Sequence, residues 1–146
     1  MSRHAVSWFL IGVVTLYSSA IWADTSCIST VQSAQQSIVQ NAYRSQQLKP
    51  AWISQSLNRL LQADARCAQA SGGICRLDFD PLYDAQDIEV QRIRYRCNDK
   101  RVIAQLSDES GAARRIDFSF VHERGAWKID DVHYTHSPSL KQLLTQ

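Results

Sequence analysis

Apolar and polar residues alternate along the second half of the chain, and this period of two predicts β-strands. Between Arg92 and Cys97, arginines alternate with isoleucine, tyrosine and cysteine. Three further segments repeat the alternation with turn residues between them. Together they predict an antiparallel meander of four short strands, at about 92–97, 101–107, 115–122 and 127–134. The alternation slips between Ile129 and Val132, which predicts a β-bulge at Asp130-Asp131.

The first half of the chain shows helical spacing instead. It predicts a first helix over about residues 27–47, with a narrow apolar stripe at Ile28, Val31, Ala34, Ile38 and Ala42. A second helix is predicted over 50–69, because Pro50 is tolerated in a first helical turn and Gly72-Gly73 ends the pattern. Residues 74–86 form a linking loop and 138–146 a short helix. Helices followed by a meander predict an α+β fold, with the helices packed on one face of the sheet.

The N-terminal segment has the pattern of a secretory signal peptide. A positive head at Arg3 and His4 precedes an apolar run over 5–17, and small residues lead up to Ala23. The run is shorter than the about 20 residues that a membrane-spanning helix needs. We therefore predict cleavage after Ala23 or Ala20, which leaves residues 24–146 as a single domain. Asp24-Thr25-Ser26 precede Cys27, unlike the small apolar triplet of lipoprotein processing, so a periplasmic or secreted protein is expected.

Charge and cysteine content narrow the class further. Residues 1–23 hold one of the 16 Lys and Arg residues and none of the 14 Asp and Glu residues, so the remainder has a net charge of 15 − 14 = +1. Such a chain is not a general polyanion binder. Four cysteines in an exported chain predict two disulfides with three possible pairings. Proximity across Gly72-Gly73 favours Cys67 with Cys75, which leaves Cys27 with Cys97. No C-x-x-C pair occurs, so zinc is not expected.

Three segments resemble a known family: 80–87 (DPLYDAQD), 125–132 (GAWKIDDV) and 139–144 (SLKQLL). They are similar to a bacterial exported family of unknown function that is grouped with nuclear-transport-factor-2-like and ketosteroid-isomerase-like cone folds. The resemblance covers about residues 30–146. It implies helices that cover a curved sheet, with a pocket between them. Members resemble envelope binding or accessory proteins, and some similar proteins neutralise toxins.

An acidic loop is one candidate site. It carries Tyr83 and four carboxylates, at Asp78, Asp80, Asp84 and Asp87. Isomerase chemistry of the ketosteroid type needs a carboxylate and a phenol in an apolar cavity. Alternatively, aspartates on a loop cap turns and helices, and Asp87 is then expected to tie the loop to the sheet. His133 and His136 fall on opposite faces of a regular strand, so no metal site is predicted. The sequence also lacks a Gly-x-Ser-x-Gly motif, and no catalytic residue or cofactor is predicted.

Arg92, Arg94 and Arg96 form the second candidate site, a basic row on one face of the first predicted strand. Arg101, Arg114 and Arg115 are expected to extend it. The row indicates either an acidic protein partner or a solvated sheet face with Asp117 and Glu123 as cross-strand partners. Six large residues are expected in the core, with the lining of a ligand pocket as the alternative for some of them: Trp52, Tyr95, Phe118, Phe120, Trp127 and Ile129.

These observations predict a non-enzymatic binding protein of the periplasm, either an immunity-type inhibitor or an accessory of an envelope complex. Its expected partner is a protein of the cell envelope. Nucleic acid and stable membrane insertion after signal cleavage are not expected. The alternative is a small-molecule-binding or ketosteroid-isomerase-like enzyme that uses the pocket of the cone. That alternative requires Asp84 or Asp87 to face an apolar cavity beside a tyrosine.

Overall fold

The computed structural model describes residues 27–87 and 89–146, so the predicted signal peptide at 1–23 lies outside the described residues. The described elements are α1 (Thr30–Ser45), α2 (Gln55–Ser71), β1 (Arg92–Cys97), β2 (Arg101–Ser107), β3 (Ala113–Glu123), β4 (Ala126–Tyr134) and α3 (Leu140–Leu144). None of the helices in these ranges has both the length and the apolar character needed to cross a membrane.

The four strands form one antiparallel sheet in the order β1-β2-β3-β4, which confirms the predicted meander. β1 and β2 begin and end at the predicted residues. The predicted bulge is also confirmed. Ser119 lies opposite Asp131 and Phe120 opposite Ile129, so Asp130 is the extra residue of β4. The bulge lets β4 bury both Ile129 and Val132, which have no exposed surface.

The core lies between one face of the sheet and the helices. The sheet contributes inward-facing residues of three strands to it, including Val102, Ala104, Leu106, Ile116, Phe118, Ile129 and Val132. Helices contribute Val39, Ala42, Leu57, Leu140 and Leu144. The α+β class is therefore confirmed, with helices packed against a four-stranded antiparallel sheet.

α1 follows the predicted stripe only in its C-terminal half, where Ala42 is buried and Ile38 packs against the core. Its buried residues are Gln35, Val39, Ala42 and Tyr43. Ile28, in contrast, is 85% exposed and Val31 is 45% exposed. An error of one residue rotates a helix face by about 100°. Tyr43 determines the orientation of α1 because its large ring packs edge-on against Phe118 at the centre of the sheet, with 6.0 Å between the ring centroids.

α2 begins at Gln55 rather than at Pro50, because the residues before it pair with the sheet. Ile129 N donates to Trp52 O, and Ser54 N donates to Ile129 O, both at 2.8 Å. This short bridge covers part of the outer edge of β4. Ser54 then caps the helix. Gly72 ends it as predicted, with a left-handed φ of 70° that glycine adopts without strain.

Two disulfides join the elements, and they are the pairs favoured by the sequence. The long-range disulfide, Cys27–Cys97, links the start of α1 to the end of β1 across 70 residues. The short-range disulfide, Cys67–Cys75, closes 8 residues around the end of α2. None of the described cysteines is free. Two disulfides are compatible with an oxidising, extracytoplasmic compartment.

Trp127 is not a core residue, contrary to the sequence prediction. It lies opposite His122 near the β3–β4 turn, and the two rings meet edge-on with centroids 5.1 Å apart. This end of the hairpin extends past the buried cluster, so the indole stays half-exposed. The other five predicted core residues lie in the core or pack against it.

Candidate functional site

Arg92, Arg94 and Arg96, here called the arginine row, stand on the outer face of β1. All three are exposed, whereas the residues between them turn towards the helices and are half-buried. Their cross-strand neighbours on β2 are Ser107, Gln105 and Ile103. None of these neighbours carries a charge. The arginine row is therefore a strip of positive charge along an edge strand.

The two acids expected to pair with the arginine row have other partners. Asp117 accepts two hydrogen bonds from Arg115, at 2.7 and 2.8 Å, and lies 3.5 Å from a guanidinium nitrogen of Arg101. Glu123 instead accepts from the backbone N–H of Gln55 at 3.0 Å, near the N-terminus of α2. Asp117 is thus a cross-strand partner of Arg101, as the alternative for this sheet face expected, but neither acid pairs with the arginine row itself.

Within the described part of the chain, no carboxylate lies within 4.0 Å of the arginine row. Arg101 and Arg115 share its face of the sheet, but Asp117 offsets their charge. Arg114 does not extend the row. It lies opposite Leu106 and reaches back to the carbonyl of Tyr83 at 3.3 Å. The uncompensated positive charge on this face therefore belongs to β1.

The acidic loop folds around Asp80. The Asp80 carboxylate accepts from Leu82 N at 2.8 Å, and its carbonyl accepts from Tyr83 N and Asp84 N at 3.0 Å. This pattern is the turn formation that aspartates favour. Asp84 completes the turn with a left-handed φ of 50°. Burial raises the pKa of Asp84, while the positive charge of Arg114 opposes the rise.

Two buried tyrosines hold this loop against the core. Tyr43 Oη donates to Leu82 O at 2.8 Å, and Tyr134 Oη donates to Pro81 O at 3.1 Å. Burial is the main cause that raises the pKa of both phenols. They therefore keep their protons at neutral pH and act as fixed donors to the loop.

Asp87 does not tie the loop to the sheet, contrary to the prediction. It is exposed, and its carboxylate forms no hydrogen bond with another described residue. It lines a cleft of about 280 Å³ between the loop and the β2–β3 turn. Tyr83 borders the same cleft, but so do four ionisable groups, at Asp87, Glu89, Asp108 and Arg114. The cleft is therefore more polar than the apolar cavity that ketosteroid-type proton transfer requires.

The histidine and aspartates of β4 have structural contacts. His133 bonds to Ser119 Oγ at 3.1 Å, and burial followed by the charge of Arg101 lowers its pKa. Asp131 accepts from Lys141 N at 2.9 Å, and Asp130 forms an ion pair with the Lys141 ammonium at 2.6 Å. These bonds fix α3 to the sheet. Across the described ranges, no three His, Cys, Asp or Glu residues converge as metal ligands.

The sequence left a pocket-lining role open for some of the large residues, and two of them line a second surface feature. Trp127 and Phe120 line an open groove together with Val31 and Gln35 of α1. Its volume is about 850 Å³. The clue in the sequence was the position of Trp127, two residues after the Gly125 turn, where a strand end extends beyond its covering helices.

The structure thus separates the predicted site residues into three places. Asp84 lies with Arg114 and His136 at the loop, Asp87 lies at the cleft, and the arginine row occupies the edge strand. Comparison of the chain with protein-family models, with curated proteins and with solved structures returned no match.

Proposed function

We propose that this chain is a non-enzymatic interaction protein of the periplasm that binds an acidic protein partner through the arginine row. The observation that carries the proposal is the lack of any described carboxylate beside three exposed arginines, on a sheet whose other outward arginines share Asp117. The fold and the family resemblance support a nuclear-transport-factor-2-like cone. An immunity-type inhibitor and an envelope-complex accessory are the two forms that this role takes.

Electrostatics explains why an acidic partner suits this strand. Alternate residues of a strand lie about 6.6 Å apart, so neighbouring arginines of the row repel each other. In water this repulsion is weak, at about half a kcal/mol per pair, and salt screens it. A partner that brings carboxylates removes the repulsion and gains paired hydrogen bonds, because a guanidinium binds a carboxylate through two N–H groups.

The other ionisable groups of the two candidate sites favour binding over chemistry. The carboxylates of Asp80, Asp117 and Asp131 each accept hydrogen bonds that organise a turn or join two elements. The buried phenols bind backbone carbonyls. These groups therefore help to hold the fold together, whereas the side chains of the arginine row form no ion pair with a described residue.

The test is partner capture from envelope extract with tagged protein. The test variant is Arg94→Ser/Arg96→Ser, and the control is Arg59→Ser/Arg66→Ser, which removes the same charge from exposed positions of α2. We expect the β1 variant to melt like the parent and to lose capture, with the control unaffected. Capture by the parent should also weaken as salt rises.

Equal capture by all three proteins would refute a role for the arginine row. Equal loss in both variants would mean that net charge, rather than this strand, attracts the partner. The identity of the captured protein then distinguishes the two forms of the proposal, because a secreted toxin indicates immunity and a resident envelope protein indicates an accessory role.

A further inference from the structure

The two edges of the sheet differ in how they are covered. The outer edge of β4 exchanges backbone hydrogen bonds with Trp52 and Ser54. β1 is the opposite edge, and β2 is its only strand partner among the residues that the structure describes. In the described ranges, no other segment forms a backbone hydrogen bond to β1. One edge is therefore partly closed, whereas the other is available to a further strand.

The register shows which backbone groups face outward from β1. Asn98 N donates to Arg101 O at 3.0 Å, which makes these two residues a hydrogen-bonded antiparallel pair. Such pairs alternate along a ladder, so the backbone groups of the arginine row point towards β2. The N–H and C=O groups of Ile93 and Tyr95 therefore point away from the sheet. They offer the hydrogen bonds that an added strand needs.

The same register determines the side chains that would meet an added antiparallel strand. Arg94 and Arg96 would occupy its non-hydrogen-bonded positions, in which opposite side chains approach most closely. Every second residue of the added strand would lie opposite an arginine. On the helix side, Arg44 lies close enough to Tyr95 for its charge to act on the phenol. A further positive charge therefore lies near the helix side of this edge.

The open stretch of the edge is short. The long-range disulfide holds Cys97 against the start of α1, and Gln32 Nε2 donates to Asn98 O at 3.3 Å just beyond it. An added strand therefore has access to Arg92 through Arg96, which is enough for carboxylates at three alternate positions.

We propose that the β1 edge takes up an extended acidic segment of a partner protein as a fifth antiparallel strand, with carboxylates at alternate positions opposite the arginine row. This proposal rests on the proposed function and names the form of its partner. Charge decides between this occupant and a second copy of the chain. Two β1 edges side by side would bring two arginine rows together, and like charges on paired strands repel.

The probes are three synthetic nine-residue peptides. In the first, glutamate alternates with threonine and valine. The second has the same composition with its glutamates in one block, and the third has glutamine in place of glutamate. We expect the purified, oxidised protein to bind the alternating peptide roughly tenfold more tightly than either of the others. Arg94→Ser/Arg96→Ser should remove that preference, and Arg59→Ser/Arg66→Ser should retain it.

Two measurements detect the strand itself rather than charge attraction. Hydrogen exchange at the amides of Ile93 and Tyr95 should slow when the alternating peptide is bound. N-methylation of the residues between the glutamates should abolish binding, since their N–H groups face β1. N-methylation of the glutamates should leave binding intact, because their N–H groups face away.

Each other outcome overturns the inference in a recognisable way. Equal binding of the alternating and block peptides, with unchanged exchange at Tyr95, leaves a charged surface but removes the strand. Equal binding of the glutamine peptide removes the acidic preference. A concentration-dependent dimer whose Tyr95 amide is protected without peptide assigns the edge to a second copy. If no peptide binds and the Arg94→Ser/Arg96→Ser variant still captures the partner, the proposed function fails as well.

Discussion

Tyr43→Phe is the sharpest test of how the fold positions the acidic loop. The substitution keeps the ring that packs on Phe118 and removes only the hydroxyl that donates to Leu82 O at 2.8 Å. The Leu82 carbonyl then lies buried without its donor. A buried polar group that loses its partner costs about 1–3 kcal/mol. At about 4 °C per kcal/mol for a chain of this size, the melting temperature should fall by roughly 4–12 °C.

The matched control is Tyr95→Phe, which removes a phenol hydroxyl from a tyrosine whose ring centroid lies 6.2 Å from that of Tyr43. The Tyr95 hydroxyl forms no hydrogen bond to any other described residue, so we expect a change within about 0.5 kcal/mol. Urea denaturation gives the free energies of unfolding, and limited proteolysis of residues 74–91 reports on the loop. If both variants lose the same stability, or if Tyr43→Phe leaves the loop as resistant as before, the Tyr43 hydroxyl does not hold the loop.

The raised pKa of Tyr43 gives this test a pH dependence. An unfolded tyrosine releases its proton near pH 10, whereas the buried phenol keeps its proton to a higher pH. Above about pH 10 the unfolded state therefore binds fewer protons than the folded state, so the free energy of unfolding decreases as pH rises. The contribution is fully present below pH 10. Tyr43→Phe should flatten this alkaline decrease, and a slope equal to that of the parent would contradict it.

Three further predictions concern the disulfides, the core and the N-terminus. Replacing both cysteines of the long-range disulfide by alanine should lower the free energy of unfolding by about 4 kcal/mol, against about 2.5 kcal/mol for the short-range disulfide, because the closed loops span 70 and 8 residues. Denaturant titration measures both losses, and a larger loss for the short-range disulfide would contradict the prediction. Phe118→Ala should lower the free energy of unfolding by about 3–5 kcal/mol and Trp127→Ala by less than half as much, because Phe118 is fully buried and Trp127 is not. Equal losses would mean that Trp127 is a core residue after all. The intact mass of protein isolated from the envelope should match a chain that begins at Asp24 or Ile21, and a mass that includes Met1 would refute cleavage.

The sheet was predictable from the sequence because its signals are local. Strand positions follow from alternation between turns, and the bulge at Asp130 follows from the slip in alternation between Ile129 and Val132. The face of α1 was only partly predictable from its stripe, which includes the buried Ala42 but also the exposed Ile28 and Val31. Its sequence is rich in glutamine, serine and alanine, so the single large ring of Tyr43 outweighs several small apolar residues.

The candidate site was predictable only in part. Alternation places Arg92, Arg94 and Arg96 on one face, and the structure agrees. The sequence does not show which acids pair with the row. In the fold, β2 lies between β1 and the strand that carries Asp117, so Asp117 is not a neighbour of the row. The same limit applies to the acidic loop. Nothing near Asp80 in sequence indicates that Tyr134 and Tyr43 meet the loop from distant elements.

The long-range disulfide also determines how the molecule carries force. If residues 27 and 146 are pulled apart, tension passes from Cys27 directly to Cys97 and bypasses α1, α2 and β1. Only residues 98–146 lie in the loaded path, so the oxidised chain can lengthen to no more than roughly 170 Å. Reduction places the whole segment from 27 to 146 under load and raises that limit to roughly 400 Å. In the oxidised molecule, β1 would stay free of tension, but it would lose its pairing with β2 once β2, β3 and β4 are drawn out.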